Sequence, residues 1–205
     1  MKERLTNQEK QSREKKQRIY KIAMKMFSDY GYDQTTIRDI CSKAGITTST
    51  FYNFFTDKDG LLLQFYYEIL AKGARHLDLT PDNLKHPYQS ICNFFIETAE
   101  FLDSFSKDVA RRTVFATKKL LDGDYKTLKA DNANKAIEAF LNQGKVFGTV
   151  DVDTDTKHVA EYLLMTASGI TTYWINQTDD ESYVAVASRL FPTAFSAVTD
   201  EIISV

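Results

Sequence analysis

Apolar residues recur through most of the chain at the spacing of an α-helix, and no run alternates for long enough to read as a strand. Ile19, Ile22, Ala23, Met26, Phe27 and Tyr30 fall at i, i+3, i+4, i+7, i+8 and i+11, the stripe of a first helix that Gly31 ends. "TTIRDICSKAG" reads as a short second helix: Thr36 and Asp39 have capping-box spacing, and Gly45 stops it. Thr47 caps a third short helix within "GITTSTFYNFF". "TDKDG" repeats the capping spacing from Thr56 to Asp59 and starts a fourth helix through Leu62, Phe65, Ile69 and Leu77.

"LTPDNLKHP" (79–87) is the most loop-like stretch. Further stripes follow at Ile91, Phe94, Phe95, Thr98, Leu102 and Phe105, then a helix over roughly 107–121 that "LDGDY" breaks. Another runs from Ala133 through Phe140 to Gly144, and "GTVDVDTD" separates it from Ala160, Leu163, Leu164, Ala167, Thr171 and Trp174. Val184, Ala187, Phe191, Phe195, Val198 and Ile202 form the last, and Pro192 inside it predicts a kink or break near Leu190. The fold class is all-α.

A chain of 205 residues can bury a core without staples. Cys41 and Cys92 are too few for a disulfide framework, and neither they nor His76, His86 and His158 have metal-ligand spacing. No metal or cofactor is expected. The N-terminus lacks the apolar run of a signal peptide and no span-length apolar stretch occurs, so a cytoplasmic location is expected. Residues 1–58 hold 12 Lys+Arg against 7 Asp+Glu, whereas the remainder holds 14 against 21. That asymmetry fits either a polyanion-binding end or a solvated basic helix face.

Within "GITTSTFYNFF", Phe51, Phe54 and Phe55 share one helical face and read as core. Thr48, Ser49, Tyr52 and Asn53 point the other way. Three short helices with Gly45 in the second turn have the layout of a helix-turn-helix unit, whose last helix lies in the DNA major groove. Hydroxyls bond bases or phosphates, and Asn bonds adenine. Positive charge comes from neighbours such as Lys10, Arg13, Lys15, Lys16, Arg18, Arg38 and Lys43.

"MFSDYGYDQTTIRDICSKAGITTSTFYNFFTDKDGLL" resembles the DNA-binding domain of TetR-family transcriptional regulators. The likeness rests on the Phe and Gly closing the first helix, the paired threonines, "DI", "AGI", "TFYNFF" and the following Lys. "LNQGKVFGTVDVDTDTKHVAEYLLMTASGITTYW" is similar, more loosely, to the segment joining that family's seventh and eighth helices. The resemblance implies about nine helices: a helix-turn-helix DNA-binding domain over 1–58, and a ligand-binding and dimerisation domain over 59–205. It implies a homodimer on a palindromic operator in double-stranded DNA, released as a repressor by a small-molecule effector. Carried over by position, Thr36, Thr50, Tyr52 and Lys58 are expected at phosphates, and Thr47, Thr48, Ser49 and Asn53 at bases or nearby phosphates. Thr48 and Ser49 depart from the family's frequent basic residue and Gly, leaving the reader neutral. Cys41 stands where Ala is usual, which favours a packing role.

In the second domain the resemblance implies pairing of the last two helices with those of a second copy. Ala167 and Gly169 are expected to allow close approach, and Phe191, Phe195, Val198 and Ile202 to supply buried area. Phe94, Phe95, Thr98, Phe115, Phe140 and Trp174 are candidates for a ligand pocket, although aromatics are no denser here than in the first 58 residues. An enzyme is disfavoured. Asp151, Asp153 and Asp155 read as a linker that caps the next helix, and no Ser or Cys sits in a recognisable nucleophile motif. A protein-binding adaptor or co-activator that keeps the fold is the alternative left open by the neutral third helix.

Overall fold

The structure is a computed structural model. It describes residues 6–121 and 130–196, with the side chains of 118–121 and 130–132 outside the description. Ten α-helices and no strand occur among the described residues. α1 (Asn7–Tyr30), α2 (Ile37–Ala44) and α3 (Thr48–Tyr52) form the N-terminal unit. α4 (Lys58–Gly73) runs into a 3-10 turn (Ala74–Leu77) and is followed by α5 (Pro81–Lys85), α6 (Pro87–Asp103) and α7 (Lys107–Leu121). α8 (Ala130–Phe147), α9 (Thr156–Asn176) and α10 (Tyr183–Phe195) complete the body.

α6 is the centre of that body, packed against α4 and α10. Ile91, Phe94, Phe95, Thr98 and Leu102 bury one face of it at helical spacing. Phe95 meets Phe191 and Phe195 with ring centroids 5.3 and 5.0 Å apart. Where α4 ends, its backbone lies against α6 so closely that a Cβ on Gly73 would sit 2.4 Å from the Phe94 carbonyl oxygen. α4 also packs on α1 and α7, so one helix joins the N-terminal unit to the body.

Several sequence expectations change. Within the stretch 79–87, Pro81–Lys85 is helical: the Thr80 hydroxyl accepts the Asn83 N–H and Pro81 takes the first turn, where its missing N–H costs nothing. This short helix brings the number above nine. Asp57, not Thr56, caps α4, its carboxylate accepting from the Gly60 N–H at 2.8 Å. α10 continues through Pro192 without a break, and the Pro192 carbonyl accepts both the Ser196 N–H and the Tyr88 hydroxyl. Tyr30 is solvent-exposed, and Tyr20 and Met24 fill the α1 interior beside Ile19, Ala23 and Phe27.

The expected dimer residues divide. Phe191 and Phe195 are each 1% exposed, stacked on one another inside their own chain, and Ala167 is likewise buried. Phe191 and Phe195 spend their apolar area on Phe95 of α6 and on each other, so these two have none to offer a second copy. Gly169 is exposed on α9, between Met165 and Tyr173, which are 66% and 48% exposed. Val198 and Ile202 lie outside the described residues.

Candidate nucleic-acid interface and a cavity in the body

The N-terminal unit is built by caps. Thr36 opens α2: its hydroxyl accepts the Asp39 N–H at 3.2 Å, while its own N–H and O–H donate to the Asp39 carboxylate at 2.9 and 2.5 Å. Those bonds hold the Asp39 carboxyl below the usual carboxylate range. At the other end Gly45 adopts φ 63°, a left-handed conformation that a side chain resists. Arg18 of α1 donates to the freed Ala44 carbonyl at 3.0 Å. One of the basic residues expected near phosphates thus also pins the turn.

Thr47 caps α3, accepting the Thr50 N–H at 3.2 Å, and the two hydroxyls lie 3.0 Å apart. Phe51 is fully buried and Phe55 nearly so, their ring centroids 5.6 Å apart. Phe54 is half-buried and follows the last helical residue, Tyr52. The opposite face carries Thr48, Ser49, Tyr52 and Asn53, all exposed, with Tyr52 at 56%. The side chains of Thr48, Ser49 and Asn53 have no hydrogen-bond partner among the described residues. The structure therefore brings these four together on one outward surface, with Thr47 and Thr50 engaged at its edge.

α1 extends well before its first buried residue, Ile19, and lays a basic strip alongside. Lys16 reaches over the Phe55 ring at 5.4 Å. A shallow groove runs between α1 and Phe54, lined by Gln11, Ser12, Lys15 and Arg18. Gln11 and Ser12 were not among the sequence candidates, because polar residues ahead of an apolar stripe carry no distinguishing pattern.

Lys58, expected at a phosphate, makes its contacts within the protein. Its ammonium donates to the Tyr32 and Thr35 carbonyls at 2.7 and 2.8 Å and sits 4.1 Å from the centre of the Tyr32 ring. Burial lowers its pKa, opposed by the nearby Asp33 and Asp59 charges and reinforced by Arg112. Two of its three N–H donors are committed to the backbone, and Thr36 has both donors on Asp39. The Tyr32 hydroxyl in turn donates to Asp59 at 2.5 Å.

In the body, α4, α6, α7, α9 and α10 line a partly open cavity of about 240 Å³. Of the candidates for a ligand pocket, Phe94, Phe95 and Thr98 line this cavity. Phe115 does not: it is 55% exposed on the outer side of α7. Phe140 lines a separate, more open hollow beside Leu79 and Ala133. Trp174 is buried against Tyr183, ring centroids 4.8 Å apart, and its indole N–H donates to the Glu181 carbonyl. The sequence candidates missed Thr113, Thr117 and Tyr183, which line the cavity with Thr171. A hydroxyl on an otherwise apolar stripe was the available signal. Asp155 caps α9 through the His158 N–H at 3.0 Å, consistent with the linker reading of "DVDTD".

This geometry defines a helix-turn-helix unit carried on an all-α body. Residues 19–65, from the first buried turn of α1 into α4, match the family model described as "Bacterial regulatory proteins, tetR family". The HTH-type transcriptional regulator HbdR of Aromatoleum sp. (strain CIB) is 31% identical over 80 residues, 39% of this chain and 35% of that protein. The chain thus spans about a third of that relative's length. The HTH-type transcriptional repressor ComR of Escherichia coli (strain K12) is 28% identical over 151 residues, 69% of this chain and 70% of the relative. The fold is shared with Thermus thermophilus FadR, a TetR-family transcriptional repressor solved in complex with lauroyl-CoA. That likeness has a TM-score of 0.66 at 19% identity, covering 87% of this chain and 92% of that one.

Proposed function

We propose that the protein is a sequence-specific DNA-binding transcriptional regulator: a homodimeric repressor of a palindromic operator, released by a small-molecule effector. The observation that carries this is the outward face of α3. It offers Thr48, Ser49 and Asn53 without internal partners, flanked by Tyr52 and the basic strip of α1. In this reading residues 1–58 bind DNA and residues 59–205 dimerise and hold the effector. Phosphate attraction to α1 supplies affinity, and the neutral α3 face supplies base selectivity. Two copies related by a two-fold axis would present two α3 helices to half-sites about 34 Å apart or a multiple of it. The exposed stripe of Met165, Gly169 and Tyr173 on α9 is the surface offered for pairing.

Effector control needs a cavity coupled to the reader. Thr113 and Thr117 of α7 line the cavity, and Arg112 of the same helix touches the α1–α2 loop. An effector that binds the DNA-incompetent state a hundredfold better shifts the equilibrium by about 2.7 kcal/mol. The likeness to a lauroyl-CoA-bound repressor supports small-molecule control without identifying the ligand. A cytoplasmic location accords with this role. Among the described residues no helix is long and apolar enough to cross a membrane.

One observation favours the alternative of a protein-binding adaptor. Thr36 and Lys58, both expected at phosphates, direct donors into the protein instead. Fluorescence anisotropy on DNA from upstream of the protein's own gene, against a scrambled duplex over a salt series, separates the two. Tight, palindrome-dependent binding with a steep salt slope is expected. Equal, weak binding to both duplexes, and to any palindrome selected from a random pool, would leave the adaptor.

A further inference from the structure

We infer that the cavity of the body selects an uncharged, mainly apolar molecule of about ten non-hydrogen atoms whose polar group is a hydrogen-bond donor, a compact phenol being the simplest kind. The inference rests on reading that cavity as the effector site.

Size comes first. A dry cavity of about 150 Å³ accommodates benzene, and this one is about 240 Å³. Charge comes next. No Asp, Glu, Lys, Arg or His lines the cavity among the described residues. Burial also pushes the Tyr183 phenol up to about 12, so it lines the space as a neutral group. An ionised ligand held here would lose much of its water and gain no counter-charge from the described lining.

The direction of the hydroxyl protons decides the rest. Thr98 donates to the Phe95 carbonyl at 2.7 Å, Thr113 to Val109 at 2.8 Å and Thr117 to Val114 at 2.8 Å. Thr171 donates to the Ala167 carbonyl at 2.8 Å, and its oxygen lies 2.5 Å from the Tyr183 hydroxyl. A hydroxyl has one proton, so the arrangement that satisfies both contacts has Tyr183 donating to Thr171. All five protons are thus directed into the protein, four of them back to the helix that carries the residue. What these groups turn to the cavity is lone pairs. Of the two remaining residues with hydroxyls in the lining, Tyr66 is half-buried and Ser168 is exposed to solvent. A ligand donor finds several acceptors there, whereas a ligand acceptor finds no free proton on these five hydroxyls and has only Tyr66 and Ser168 left to turn to.

Isothermal titration calorimetry on the full-length protein without DNA tests this with three probes of one shape: para-isopropylphenol, its methyl ether and para-isopropylbenzoate. The phenol is expected to bind best, the ether about tenfold weaker for want of its donor, and the benzoate about a hundredfold weaker or worse. In the Thr98→Val/Thr171→Val variant the difference between phenol and ether is expected to shrink, with circular dichroism confirming the fold. Equal or tighter binding of the ether or the benzoate overturns the inference. So does no binding of any probe up to its solubility, or an undiminished difference in a folded variant. Anisotropy on operator DNA is read separately. A phenol that binds as expected without releasing DNA upholds the cavity chemistry and removes the effector role instead.

Discussion

The Arg112 guanidinium on α7 pairs with the Asp33 carboxylate in the loop between α1 and α2, and lies 5.3 Å from the centre of the Tyr32 ring. The next residue on α7, Thr113, lines the cavity. Adjacent positions on one helix therefore face the two parts of the proposed switch. Both partners of the ion pair are more than a third exposed, so solvent screens it. Arg112→Ala is expected to lower unfolding stability by less than about 1 kcal/mol, while altering operator affinity. Urea denaturation beside DNA titration checks this. A large stability loss with unchanged DNA binding would make the contact structural only.

Tyr52 and Asn53 divide the work on the α3 face. Tyr52→Ala is expected to weaken binding to operator and random DNA alike. Asn53→Ala is expected to cost about 1–3 kcal/mol on the operator and little on random sequence. Equal losses on both duplexes for both variants would refute the division.

Gly73 permits the approach of α4 to α6. A Cβ there would meet the Phe94 backbone oxygen, which belongs to a helix and cannot move alone. Gly73→Ala is expected to destabilise by about 1–3 kcal/mol, outweighing the gain in helix propensity. A chemical denaturation midpoint at or above that of the wild type would show that the helices separate freely.

Acid should loosen the N-terminal unit through its caps. The carboxyls of Glu9 and Asp39 are held below their ordinary values by bonds from Thr6 and Thr36. A depressed folded-state pKa contributes stability above the unfolded value and loses it as pH falls through the folded value. The difference in thermal stability between wild type and Asp39→Ala is therefore expected to narrow below the ordinary carboxylate range. Melting curves across that range test it, and a difference independent of pH would exclude the charge as its source.

Met165 and Tyr173 flank Gly169 on the exposed stripe of α9. A Met165→Glu/Tyr173→Glu variant is expected to be monomeric with unchanged helix content and greatly weakened operator binding. Light scattering coupled to size exclusion reads the mass. A variant that stays dimeric would move the interface elsewhere.

Much of the N-terminal unit was legible in the sequence. Thr36 with Asp39, Gly45 after Ala44 and Thr47 before α3 act over three or four residues, and the structure keeps each of those bonds. The burial of Phe51 and the outward face of Thr48 to Asn53 also follow from local period. Lys58 was not legible, because the Tyr32 and Thr35 carbonyls that hold its ammonium belong to a loop more than twenty residues away.

The sequence by itself determined the all-α class and most of the helices, since period, caps and glycines act within one or two turns; α5 and the passage of α10 through Pro192 it did not. Only the tertiary structure decided what each apolar face meets. Phe191 and Phe195 carry a stripe that suits an interface as well as a core, and they are core because α6 brings Phe95 against them. Phe115 and Thr113 lie two positions apart on α7, yet one faces solvent and the other the cavity. Burial of a helical face is a property of the surface opposite it, and that surface comes from distant parts of the chain.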